Sequence, residues 1–240
     1  MGERKRMRTF VTVIIALIFK MQKLFFELIR VALGRLDCVD RAPLEDEWPE
    51  LYRMAQQQGV VATSYQGVEK LFEFGLRGPQ DLMLDWMSEA ENSFDADVID
   101  SYPPVVMRNP LKNVRWQKVV DQNQDLHATP TMQLLSLLVT CHEQFVYGML
   151  TLRPLLDAYR LIHRIDGHFA AFANGGSMEQ QLKGIGIYKF TQAVKWVMGE
   201  SMGLEPALML CAPLEPKGRF LLADIMGEGH GWKHWLKKLW

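Results

Sequence analysis

Along most of the chain apolar residues recur at three- and four-residue steps, a pattern that predicts helices divided by glycine and proline turn signals. The clearest stretch runs from 129 to 164. Thr129 followed by Pro130 gives a helix start, because proline lacks an N–H that the first helical turn leaves unpaired anyway. Leu134, Leu138, Cys141, Phe145 and Met149 then form one stripe, and Leu135, Val139, His142 and Val146 fill the adjoining one. So wide an apolar arc implies burial on several sides. A turn near Gly148 leads to a second helix, with Thr151 as its cap and Pro154 tolerated in its first turn. Leu152, Leu156 and Tyr159 make one face of it, with Leu155 and Ile162 alongside. Arg153 and Asp157, four residues apart, are neighbours on the helix surface. Together these predict a helical hairpin at the centre of the domain.

The remaining elements follow the same logic. MQKLFFELIRVALG is amphipathic, with Leu24, Leu28 and Val31 on one side. A helix over 45–58 presents Trp48, Leu51, Tyr52 and Ala55 and stops at Gly59. Residues 60–74 continue with Val61, Tyr65, Val68 and Leu71 or Phe72, and 81–91 with Leu82, Trp86 and Met87. Residues 95–116 carry two adjacent prolines, then Pro110, which predicts loop with at most one or two edge strands. A short helix and loop are expected over 117–128. Beyond the hairpin, Ser177 and Gln180 have capping-box spacing. The helix they open is expected to break at Gly184 or Gly186, and another runs over 188–202 with Phe190, Val194, Val197 and Met198 inward. Pro206, Pro213 and Pro216 mark a loop before a last short helix over 219–226. The expected fold is mainly α: a helical bundle around the central hairpin, with a short irregular or β-containing insertion near 95–110. It divides into an extension (1–20), an N-terminal helical subdomain (21–94), a segment over 95–128, a C-terminal helical subdomain (129–230) and a tail (231–240).

Composition supports a folded chain. Of 240 residues, 48 % are hydrophobic, enough for an ordinary core, and a net charge of −1 gives no long-range reason to expect a nucleic-acid partner. Cys38, Cys141 and Cys211 lack metal-site spacing and read as free thiols in a reducing, cytoplasmic compartment. The N-terminus pulls the other way: a basic start and the apolar run FVTVIIALIF imitate the first two parts of a signal peptide, but no cleavage site follows. The run is also far shorter than the roughly 20 residues of a spanning helix. The expected start is Met21, rather than Met1 or Met7, with residues 1–20 an upstream extension. A weak membrane anchor through residues 9–33 and a signal peptide are the alternatives. Trp232, Trp235 and Trp240 among lysines read as a frayed end, with a tail at a membrane interface as the alternative.

Several segments, in order, carry a family likeness: FELIRVALG, EDEWPELYRMAQQQGVVATSYQGVEKL, LMLDWMSEAE, NPLKNVRWQKVV and LLSLLVTCHEQFVYGMLTLRPLLDAYRLIH. They resemble an uncharacterised bacterial nucleotidyltransferase-like family of the polymerase-β superfamily, over most of residues 21–230. The resemblance implies nucleotidyl transfer from an NTP to an unknown acceptor, with Mg²⁺ bridging the triphosphate between converging carboxylates. It also matches Arg153 and Asp157 to the family's L-R-x-x-x-D helix and His142 to the histidine upstream of it. In an intact relative these are substrate-binding candidates, since arginine suits phosphate.

The catalytic unit itself departs from the pattern. Between Trp86 and Asn109 the interval is far too short for the usual α/β catalytic unit that carries the Gly-Ser turn and Asp-x-Asp strand, so 95–128 reads as a reduced remnant and linker. Asp95, Asp97 and Asp100 are the only carboxylates there with strand-like spacing, and no glycine turn precedes them; a solvated acidic loop is the plainer reading. Gly175-Gly176-Ser177 reads as a helix cap, and the pairs His230/His234 and His163/His168 as incidental. For Arg153 and Asp157 the plain alternative is an ion pair fixing the hairpin, with His142 a hydrogen-bonded core histidine. The expectation is a core-deleted member of the family, inactive or nearly so and needing no cofactor of its own. A helical module binding a protein or acceptor is the alternative, and a membrane-associated helical protein a further one.

Overall fold

The computed structural model describes residues 20–93, 105–126, 128–166, 168–169, 172–173, 175–208 and 210–228. These are mainly helical and contain no strand. They fall into two compact units, Met1–Asp97 and Val98–Trp240. Asp95, Asp97, Asp100, His230, His234 and the N-terminal apolar run lie outside the described residues.

The first unit contains α1 (residues 20–32), α2 (Glu47–Gln58), α3 (Val61–Phe72) and α4 (Gln80–Asn92). The apolar side of α1 is used internally: Leu24, Phe25, Leu28, Ile29 and Val31 are buried with Leu51, Ala55, Val68 and Leu71. Gly67 lets α1 and α3 approach, for a Cβ there would lie 2.4 Å from the Leu28 carbonyl oxygen. Trp86 on α4 is fully buried, stacks on Tyr52 at 5.0 Å and donates from Nε1 to the Val61 carbonyl at 3.2 Å. Deleting a buried indole of this kind costs roughly 3–5 kcal/mol. Tyr52 also bonds to Glu89, which accepts from Gln56 Nε2 at 2.6 Å, tying α2 to α4.

The second unit contains α5 (Pro110–Gln122), α6 (Pro130–Tyr147), α7 (Leu152–Ile165), α8 (Met178–Ile185), α9 (Tyr188–Met202) and α10 (Glu215–Ile225), with short 3₁₀ turns at Gln124–Leu126 and Pro206–Leu208. The hairpin is α6 and α7. Thr129 accepts from the Met132 N–H, and Gly148 closes α6 in the left-handed conformation that glycine adopts freely. Thr151 stands at the N-cap of α7, yet its side chain makes no capping bond. Leu134, Leu135, Leu138, Val139 and Cys141 are all fully buried, whereas Met149, expected on the same stripe, is 64 % exposed beyond the end of the helix. Phe145 stacks on Phe190 at 5.6 Å and meets Phe220 edge-on, which sets α6 against α9 and α10. Ser177 and Gln180 form the capping box of α8. On α10, Gly218 lies where a Cβ would meet Trp196 of α9 at 2.5 Å.

One stretch differs from the sequence reading. Residues 110–116 were expected to be loop, but Asn109 caps α5, accepting from the Leu111 and Lys112 N–H groups, with Pro110 at the first helical position. The nearby prolines suggested an extended segment, yet asparagine before proline is also a helix start. Residues 105–109 have no regular structure and are fastened to α5: Trp116 Nε1 donates to the Val105 carbonyl at 3.0 Å, and the Met107 N–H to Asn113 Oδ1 at 2.9 Å. The final helix also starts earlier than expected, at Glu215, with Pro216 accommodated in its first turn.

Candidate functional site

The matched residues occupy two polar clusters in the second unit. The first is built where the start of α5 meets the C-terminal half of α6. His142 is only 4 % exposed, held edge-on to Phe190 at 5.3 Å. Its Nδ1 lies 2.9 Å from Glu143 Oε1, and its Nε2 lies 3.1 Å from Lys112 Nζ. The other Glu143 oxygen accepts from the Arg108 N–H at 2.7 Å.

These partners set the proton positions. A carboxylate only accepts, so Nδ1–H donates to Glu143 and the Nε2 lone pair accepts from the Lys112 ammonium. Burial lowers the His142 pKa, the Lys112 charge lowers it further, and Glu143 opposes both. Burial raises Glu143, but the bonds from His142 and the Arg108 N–H outweigh it and leave the carboxyl below its ordinary range. Lys112 is lowered by burial, with Glu143 opposing. The result is an ionised carboxylate, a neutral imidazole in one tautomer and a half-buried cation in a line. It anchors α5 and residues 105–109 onto α6.

The second cluster lies on α7. Asp157, 6 % exposed, receives Arg153 Nε at 3.2 Å on one oxygen and faces Arg160 Nη1 at 3.7 Å from the other. Cys141 of α6 feels the Asp157 charge, and burial first, then that charge, raises its thiol pKa. The carboxylate is therefore turned toward the hairpin interior and bracketed by two cations of its own helix. Among the described residues no group of three or more His, Cys, Asp or Glu side chains is placed to hold a metal ion. His163 bonds instead to Glu205 at 3.1 Å and to the Tyr159 carbonyl at 2.9 Å. Ser177 caps α8, as its sequence context suggested.

Sequence reasoning overlooked three residues. Lys112 and Glu143 complete the His142 cluster. Glu143 had a visible signal, a carboxylate beside a histidine inside an apolar arc, but Lys112 is 30 residues away in sequence and had none. The third is Lys195, fully buried on α9, whose Nζ has no hydrogen-bond partner among the described residues. Its position four residues after Thr191 and three before Met198 was already that of a core residue. No helix among the described residues is long and apolar enough to cross a membrane. No known protein family, curated protein or solved structure matches this chain.

Proposed function

We propose that this chain is a nucleotidyltransferase-like protein reduced to its helical elements, acting as a binding module rather than as a transferase. The observation that carries this reading is the Asp157 cluster. Arg153 and Asp157 are the residues that the family likeness would direct toward a nucleotide, and here they are joined to each other and to Arg160 inside the hairpin. Asp157 holds Arg153 through Nε at 3.2 Å, a charge-assisted bond of a kind worth roughly 1.5–3 kcal/mol, which fixes the guanidinium against its own helix. His142 is likewise engaged on both ring nitrogens. The polar signature thus supports the hairpin, and the surfaces outside it are what a protein partner or acceptor would contact. Isothermal titration calorimetry with Mg²⁺ and each NTP tests this. The expected result is no saturable, magnesium-dependent heat with any nucleotide; such a heat would overturn the proposal.

A further inference from the structure

Lys195 is a side chain that the binding reading does not use. It sits on α9 beside Val194 and Val197, wholly removed from solvent, with an Nζ that has no partner among the described residues. An ammonium buried without an acceptor is costly, and the usual response is loss of its proton. Burial lowers the Lys195 pKa to about 7, and the one ionisable group acting on it among the described residues is Cys211. Cys211 is a buried free thiol, pushed up to about 11 by burial. Near neutral pH a large share of Lys195 is therefore an amine with a free lone pair, beside a neutral thiol.

A cleft lies close by. Its volume is about 380 Å³, and it opens between the start of α8 at residues 175–179 and Leu210, the residue before Cys211. Cys211 follows the cleft residue Leu210, and the segment it belongs to is tied to Gln192, one helical turn before Lys195 on α9. Residues 210–214 have no regular structure. Two hydrogen bonds join them to Gln192 of α9: its backbone carbonyl accepts from the Leu214 N–H at 3.1 Å, and its side chain donates to the Ala212 carbonyl at 3.1 Å. Such a strap, tied to α9 through Gln192 and running into α10 where the Leu214 carbonyl accepts from the Gly218 N–H at 2.9 Å, can open locally at a cost far below global unfolding.

We propose that Lys195 is a covalent site for small carbonyl compounds, aldehydes or ketones, which reach it from this cleft when residues 210–214 lift. The amine lone pair attacks the carbonyl carbon to give a carbinolamine, which loses water to leave an imine between Nζ and that carbon. Amine and carbonyl become imine and water, with no oxidation or reduction. The neutral imine, like the neutral amine it replaces, carries no charge into the apolar surroundings.

The test uses acetaldehyde and sodium cyanoborohydride on the folded full-length chain at about pH 7.5, followed by peptide mass mapping. Hydride delivered to the imine carbon fixes it as an N-ethyl lysine. Surface lysines are almost entirely protonated at that pH, so Lys195 is expected to be alkylated ahead of them. Gln192→Ala removes the side-chain tie on the strap and is expected to speed labelling of Lys195 several-fold, leaving the surface lysines unchanged. Surface lysines reacting while Lys195 stays unmodified until the chain is unfolded would overturn the proposal. So would a Lys195 rate indifferent to Gln192→Ala.

Discussion

Buried polar residues decide how this molecule is read, because each must be paired, neutralised or given a purpose. Asp157 is paired with two arginines, His142 is paired on both nitrogens, and Lys195 is shifted by burial toward its neutral form. For Lys195 the pH dependence has a definite sign. An unfolded lysine titrates at the ordinary 10.5, whereas the folded residue does so at about 7. Between those values the unfolded chain holds a proton that the folded one lacks, so stability rises with pH across the window. Below it both states are protonated and the burial penalty is felt in full. Lys195→Met, nearly volume-conserving, is expected to stabilise the protein by roughly 1–4 kcal/mol near pH 7. It should also remove this residue's share of the rise toward pH 9. Urea denaturation of both proteins at the two pH values checks it, and equal pH slopes would contradict the assignment. None of these pairings was legible from sequence except Arg153 with Asp157, whose four-residue spacing within one helix fixes their meeting. Lys112 and His142 meet only because two helices pack.

At the scale of elements, the sequence was informative where a local signal and the apolar period agreed. Thr129-Pro130, Gly148, Ser177 with Gln180, and Gly59 all lie at the helix boundaries they suggested. Asn109-Pro110 is the same kind of signal, masked by the two prolines and the valines before it. Its helix is also weakly amphipathic: Trp116 is the only buried residue of α5, while Leu111 and Val114 are exposed. The periodicity that identifies other helices is therefore faint here. α5 depends on its cap and on the Glu143 anchor instead of on a broad apolar face. Asn109→Ala is expected to lower stability by about 1 kcal/mol. Hydrogen exchange should report the loss first at the amides of Leu111 and Lys112, and unchanged protection there would show that the cap contributes little.

For the whole molecule, the helical class followed from the spacing of apolar residues, and the two cores are filled by the residues that spacing selected: Leu28, Leu51 and Trp86 in one, Leu138, Phe145 and Phe190 in the other. Function was less legible, because it depends on what the polar signature faces after packing, and sequence order alone does not say. As proposed, Arg153, Asp157 and Arg160 are a structural clamp within a binding module. The most direct test is chemical denaturation of the wild type and of Asp157→Asn, each with and without Mg²⁺ and ATP. A ligand that binds the folded state raises the midpoint, so a nucleotide site would be visible in the wild type. A structural clamp predicts a loss of roughly 1–3 kcal/mol in the variant, the same with and without nucleotide, and no nucleotide effect on the wild type. A wild-type midpoint raised by Mg²⁺ and ATP, with the increase abolished in Asp157→Asn, would contradict it.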